Sequence, residues 1–169
     1  QNKKVGIIGF GNQGRAQALN LIDNKVNVIV GIRKNSLSIK ELKSRSIPFD
    51  SIDNVVKNVD VIVILIPDKI MEKVYTKSIK DYLKKGQTLI FAHGYNIHYK
   101  LISVPVKINI AMVAPSGAGQ MVRDMFKKKL GVPSLIAVEN DFSGNTLELI
   151  KSYAKGIGST RVCAFTSTF

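Results

Sequence analysis

Short unbroken apolar runs alternate along this chain with longer stretches in which apolar residues return at helical spacing. The runs Val5–Gly9 (VGIIG), Asn27–Gly31 (NVIVG) and Val59–Ile66 (VDVIVILI) hold almost no polar residue. A strand with one wet face alternates polar and apolar positions, so runs of this kind predict strands covered on both faces. Val59–Ile66, rich in β-branched residues and closed by Pro67, reads as a central strand. Gln87–Ala92, Ile108–Ala114, Leu135–Val138 and Val162–Phe165 read as further strands. Helices are predicted over Gln13–Asp23, Ser38–Ser46, Lys69–Tyr82 with a break near Ser78, Gly119–Lys128 and Asn145–Lys155. In the first of these, Ala16, Leu19, Leu21 and Ile22 gather near one face. Strands that alternate with helices predict an α/β fold, a doubly wound and mainly parallel sheet of about eight strands in three layers. No repeat, low-complexity segment or Pro/Gly/Ser-rich linker interrupts the pattern, so residues 1–169 are read as one domain.

Composition narrows the picture. With 169 residues, 45% hydrophobic and 22% charged, the chain can bury a core without staples. A lone cysteine, Cys163, excludes an internal disulfide and a thiolate metal cluster. The longest apolar run, Val61–Pro67, falls far short of the ~20 residues that cross a bilayer, so no membrane contact is expected. No secretory signal stands at the start, so the expected compartment is the cytoplasm, or an organelle lumen after transit-peptide removal. The net charge is +13, yet 20 of the 25 cations are lysines scattered along the chain. The one tight cluster, Lys127–Lys129, has no aromatic platform around it, so no nucleic-acid partner is expected. A small molecule rich in phosphate would gain from such a positive field.

Candidate chemistry begins where the first strand ends. Gly9-Phe10-Gly11-Asn12-Gln13-Gly14 is G-x-G-x-x-G between a predicted strand and a predicted helix, the context in which that motif cradles a dinucleotide. Gly9 permits the tight turn, Gly11 lets backbone approach a pyrophosphate, and Gly14 lets helix pack against strand. The helix N-terminus adds unpaired N–H groups and a positive dipole end. At the close of the second strand an NAD site carries an acid for the ribose 2′-hydroxyl. This chain reads Gly31-Ile32-Arg33-Lys34-Asn35-Ser36-Leu37-Ser38 instead, with cations and hydroxyls that suit a 2′-phosphate. His93 follows the strand Gln87–Ala92 at a carboxyl end, where α/β sheets place ligands. It can bond a substrate or a metal-bound water, or it can order the Gly94–Asn96 loop. His98 reads as structural.

Seven stretches carry a family resemblance: Val5–Ala18 (VGIIGFGNQGRAQA), Val30–Ser38 (VGIRKNSLS), Leu65–Asp68 (LIPD), Phe91–Tyr99 (FAHGYNIHY), Met112–Pro115 (MVAP), Gly131–Val138 (GVPSLIAV) and Tyr153–Arg161 (YAKGIGSTR). With them the whole chain resembles the N-terminal, Rossmann-type NADP-binding domain of ketol-acid reductoisomerase (acetohydroxyacid isomeroreductase) of the short-form class. The resemblance implies an NADP-dependent oxidoreductase of valine, isoleucine and leucine biosynthesis. It rearranges 2-acetolactate or 2-aceto-2-hydroxybutyrate by a magnesium-dependent alkyl migration and reduces the ketone with NADPH to a 2,3-dihydroxy acid. It further implies that Phe10, Gly11, Asn12 and Gln13 line the pyrophosphate turn and that Arg33, Ser36 and Ser38 hold the 2′-phosphate. Pro67, Asp68, Lys69, Ile70 and Met71 would follow near the cofactor, Gly119 would meet it from a later loop, and His93 would be the active-site histidine.

The chain also departs from the family. The family's helical, knotted C-terminal domain, which holds two Mg²⁺ ions and carries most subunit contacts, is not in this sequence. No converging carboxylates replace it, so no metal ligand is assigned. Asp68 and Glu72, four apart, read as a helix cap and a first-turn acid. Ser116 stands where the family has a lysine, and Ala118 where it has a proline. Mg²⁺ chemistry and homo-oligomer formation are therefore expected only through the second domain, and the chain alone is expected to be inactive. The alternative is a stand-alone, degenerate NADPH-binding module without catalysis. Another NADP-dependent dehydrogenase sharing only the fold fits the Ala92–His98 segment less well.

Overall fold

The computed structural model describes residues 3–169. Its strands are β1 (Val5–Ile8), β2 (Val28–Ile32), β3 (Phe49–Ser51), β4 (Val61–Ile64), β5 (Thr88–Phe91), β6 (Asn109–Pro115), β7 (Ser134–Asn140) and β8 (Ala164–Thr166). The helices are α1 (Asn12–Asp23), α2 (Ile39–Ser44), α3 (Ile52–Lys57), α4 (Asp68–Ser78), α5 (Tyr95–His98), α6 (Gly119–Lys127) and α7 (Thr146–Ile157). The strands form one sheet in the order β3-β2-β1-β4-β5-β6-β7-β8. Pairing is parallel from β3 through β6, β7 joins β6 antiparallel, and β8 runs parallel to β7. The fold is the expected α/β, Rossmann-type sheet with a reversed edge.

The apolar runs explain the layers. Successive side chains of a strand point to opposite faces, so an unbroken run feeds both. Ile7, Val61 and Val63 enter a core with Leu21 of α1 and Ile150, Ala154 and Ile157 of α7. Ile8, Ile62 and Ile64 enter the opposite core with Val55 and Val56 of α3 and Met71 and Tyr75 of α4. Burial of each such side chain contributes roughly 1.5–3 kcal/mol. Gly6 sets how closely α3 approaches, since a Cβ there would stand 2.7 Å from the Val55 Cγ1. A Cβ on Gly31 would stand 2.7 Å from the Ile8 Cδ1 of the neighbouring strand.

Several boundaries differ from the reading of the sequence. β3 and α3 are not predicted by the pattern. The strand has three residues and the helix six, too short for either periodicity to show. β4 stops at Ile64, before the predicted Ile66, because Leu65 and Ile66 turn into a cleft. The Lys69–Tyr82 helix begins at Asp68, ends at Ser78 and resumes as a 3-10 turn over Lys80–Tyr82. The Gly94–Asn96 loop is the start of the short helix α5. The last strand lies at Ala164–Thr166 instead of Val162–Phe165, after a 3-10 turn at Ser159–Arg161.

Candidate functional site

β1 lies between β2 and β4, so the sheet reverses its order of winding between β1 and β4. At that point helices leave toward opposite faces and a crevice opens beyond the carboxyl ends of the strands. The glycine-rich turn fills it from β1. Gly9 has φ +96°, a left-handed conformation that a side chain strains. A Cβ on Gly14 would lie only 2.3 Å from the Gly9 carbonyl oxygen, so this glycine lets α1 seat directly on the turn. A Cβ on Gly11 would meet nothing within 4 Å. Its absence leaves the backbone bare toward open space. Gly11 caps α1 with no side-chain hydrogen bond, and the first turn of α1 holds no acid. A helix start of this kind, with N–H groups unpaired within the helix and no acid beside them, has the chemistry to take an anion.

A cleft of about 210 Å³ runs from this turn to the end of β2. Gly9, Phe10 and Gly11 form one wall, and Arg33, Ser36 and Ser38 form the next. Pro67 and Ile70, from the start of α4, close the third side. The Ser36 hydroxyl oxygen accepts the Ser38 N–H at 3.3 Å, which shapes the loop. Arg33 is exposed and joins none of the ion pairs among the described residues. The nearby Arg15 is bound to Glu41 at 2.9 Å. Glu41 also pairs with Arg45 at 3.0 Å, while Arg33 and its neighbour Lys34 are both exposed outside these pairs.

A second, shallower hollow lies beside it at the end of β5, lined by Asp68, His93, Tyr95, Tyr99 and Phe169. His93 Nε2 lies 3.1 Å from the Asp68 Oδ1, and both side chains are about half exposed. The Asn96 amide donates to the same oxygen at 3.0 Å. A further cavity, about 350 Å³, lies at the opposite, amino end of β1 and β4 against Leu21 and Tyr153. Ligands of α/β sheets bind at the other end.

The chain matches the family model described as acetohydroxy acid isomeroreductase, NADPH-binding domain, over residues 1–163. It belongs to that family. It is 45% identical over its full length to the ketol-acid reductoisomerase (NADP(+)) of Methanocaldococcus jannaschii and 47% identical to that of Kocuria rhizophila. It covers 51% and 50% of those proteins, so it spans about half the length of the relatives it matches. A solved NADH-preferring ketol-acid reductoisomerase from an uncultured archean superposes with a TM-score of 0.95 at 34% identity, over 99% of this chain and 52% of that one. A semialdehyde dehydrogenase NAD-binding protein from Cupriavidus necator shares the fold, with a TM-score of 0.82 at 17% identity over 99% of this chain and 64% of that one.

Within this isomeroreductase domain, the residues that the family resemblance implied separate into three groups. Gly9, Phe10, Gly11, Arg33, Ser36 and Ser38 meet in the cleft, joined by Pro67 and Ile70. His93 and Asp68 meet in the hollow. The others do not face either space with their side chains. Met71 is 3% exposed, packs in the core under α4, and its Sδ accepts the Asn96 amide at 3.3 Å. The reading of Asp68 as a helix cap is corrected, since Pro67 is the cap position and the Asp68 carboxylate bonds the β5 loop instead of its own helix. The Gln13 side chain is turned inward. Its amide donates to the Gly117 carbonyl at 2.8 Å, while its oxygen accepts from Gln17 at 3.0 Å. Gln17 in turn accepts the Tyr153 hydroxyl at 2.6 Å, and burial pushes that phenol well above its ordinary 10.0. Gly119 opens α6 against the turn itself, where a Cβ would stand 2.2 Å from the Asn12 carbonyl oxygen. Asn12, Lys69 and Lys34 are exposed outside the cleft lining, and Gly14 serves packing.

Sequence reasoning missed the apolar floor of the cleft: Ile32, Ile52, Leu65, Ile66 and Val74. Ile52 comes from the unpredicted α3, and Leu65 and Ile66 were read as strand. Ser116 donates its backbone N–H to the Pro133 carbonyl at 2.8 Å, which fixes the loop but supplies no charge. Among the described residues no three His, Cys, Asp or Glu side chains converge on a metal position, and no helix is long and apolar enough to cross a membrane.

Proposed function

We propose that the cleft binds NADPH and that this chain is the cofactor-binding half of a ketol-acid reductoisomerase acting on a small acetohydroxy acid. The observation that carries the reading is the meeting of the bare Gly11 backbone with Arg33, Ser36 and Ser38 in one cleft. The turn N–H groups take the pyrophosphate, and Arg33 with the two hydroxyls takes the 2′-phosphate. The apolar floor at Ile32, Ile52 and Ile70 receives the adenine side. When bound, the cofactor supplies a hydride for reduction of a ketone. His93 stands at the end of β5, where it exchanges a hydrogen bond with a substrate oxygen or a water. Magnesium is a different matter: among the described residues no carboxylate set fits it. In the family the metal and the subunit contacts belong to the second half. The setting we assign is the cytoplasm or an organelle lumen, with no nucleic-acid partner.

Titration of the chain with NADPH and with NADH tests the cofactor reading. Saturable binding that favours NADPH supports it. Equal affinity for both removes the 2′-phosphate assignment. A second reading, an NADPH-binding module without catalysis, is favoured by one residue: Ser116 is neutral and short where the family has a lysine. Fusing this chain to the missing half of the Methanocaldococcus jannaschii relative separates the two. Turnover of 2-acetolactate by the fusion supports the enzyme. NADPH binding with turnover only after Ser116→Lys supports the module.

A further inference from the structure

β4 and β5 are neighbours in the sheet and parallel, so the loops that leave their carboxyl ends lie side by side. This register brings Asp68, opening α4, to His93, just beyond β5. The His93 Nε2 and the Asn96 Nδ2 both lie within hydrogen-bond distance of one oxygen, Asp68 Oδ1, at 3.1 and 3.0 Å. Asn96 is 2% exposed and sits in the first turns of α5. Its backbone carbonyl accepts the N–H groups of Leu101 and Ile102 at 3.0 and 3.2 Å, which fixes the residue in place.

The orientation of the Asn96 amide is decided by its surroundings. Its nitrogen faces the Asp68 oxygen and the Met71 sulfur, and a flip would turn its oxygen onto the carboxylate. In the orientation present, the Asn96 Oδ1 is buried with no partner. A buried amide is expensive to leave half satisfied, and an apolar residue would fill this place without that cost. The feature that an apolar residue cannot supply is the bond to Asp68.

We propose that Asp68 is a positioning residue, anchored by Asn96, that holds His93 with its proton on Nε2 and leaves Nδ1 as the acceptor offered to the hollow. The inference rests on the functional reading of His93 given above. A carboxylate only accepts, so the histidine nitrogen that faces it must be the one that carries hydrogen. In the neutral ring the other nitrogen then has a lone pair, suited to a hydroxyl of an oxygen-rich acid substrate or to an ordered water. Neither Asp68 nor Asn96 touches the reacting atoms in this arrangement. They set the ring's angle and its tautomer, as second partners of functional histidines do.

The chain has two histidines, which makes the test direct. In ¹⁵N-labelled chain at mildly alkaline pH, His93 is expected to show a protected imidazole N–H proton downfield of the amide envelope. His93→Gln assigns it, and His98, whose ring meets Tyr99 edge to face at the rim of the same hollow, serves as the internal reference. Asp68→Ala should abolish the signal, Asp68→Asn, whose amide oxygen still accepts, should only weaken its protection, and Asn96→Leu, which keeps the volume and removes the amide, should raise its exchange rate at least about fivefold. NADPH affinity is measured on the same samples. A protected His93 proton that survives Asp68→Ala overturns the proposal, as does a protected proton on Nδ1. Loss of the proton in Asp68→Ala, with a protected but faster-exchanging proton in Asp68→Asn, supports it. If the proton behaves as expected in a chain that binds no NADPH, the arrangement stands and the cofactor reading fails. If NADPH binds and no such proton exists, the reverse holds.

Discussion

The cleft at β1, β2 and β4 and the hollow at β5 share one end of the sheet and one turn of α4, yet they are built differently. Pro67 and Ile70 close the cleft, while Asp68 between them bonds into the hollow. The cleft rests on backbone: a left-handed Gly9, a bare Gly11, and a Gly14 seated on the Gly9 carbonyl. The hollow rests on side chains: a histidine, a carboxylate and a buried amide from two loops. Backbone that must curve or approach a phosphate can be read from which residues lack a Cβ. Side-chain pairs depend on which strands become neighbours, and a motif does not state that.

The comparison can be broken most forcefully at its glycines. Gly14→Ala pushes a Cβ into the Gly9 carbonyl and should cost about 3 kcal/mol, lowering Tm by about 6–12 °C in a thermal melt. Gly11→Ala meets nothing, so its Tm should hold within about 2 °C while NADPH affinity falls at least about tenfold. Equal destabilisation by the two would mean that the turn is packing alone. At the far wall, Arg33→Asp with Ser36→Ala should weaken NADPH by about 100-fold and NADH by only a few-fold, read by calorimetry. Across the α4 turn, His93→Ala should leave NADPH affinity within about twofold, because the hollow is a separate element of the same edge. A large loss there would merge the two regions into one site.

The smallest effect concerns acid stability and lies outside both regions. Asp141 accepts the Thr146 hydroxyl and backbone N–H at the start of α7, and these bonds hold its carboxyl below its ordinary 3.8. A depressed carboxylate stabilises the fold above the unfolded value and loses that contribution as pH falls through the folded one. Urea midpoints should therefore drop between pH 5 and pH 3, and Asp141→Asn should flatten that drop while leaving both ligand regions unchanged.

Most of the cleft was legible before any coordinates. The G-x-G-x-x-G turn, the acid-free end of β2 and the Pro67 stop each carry a local physical constraint. The cleft's apolar floor was not, because Ile52 stands on a six-residue helix that only packing against Gly6 and Gly31 defines. Gln13 was legible as a residue of the turn but not in its direction. Only the placement of α6 beside α1 offers it the Gly117 carbonyl. Met71 followed the motif by adjacency, and a helix turns consecutive side chains about 100° apart, so neighbours of Ile70 need not share its face.

By itself the sequence determined the strand–helix alternation, the two-sided burial of the sheet and the glycine-rich turn between β1 and α1, since each follows from spacing along the chain. It also carried the family membership through its motifs. The tertiary structure alone decided that Asp68 meets both His93 and Asn96, that Met71 is core, and that Arg15 pairs with Glu41 while Arg33 joins no ion pair among the described residues. Those are contacts between residues far apart in the chain, and they exist only once β4 and β5, or α1 and α2, have been brought side by side.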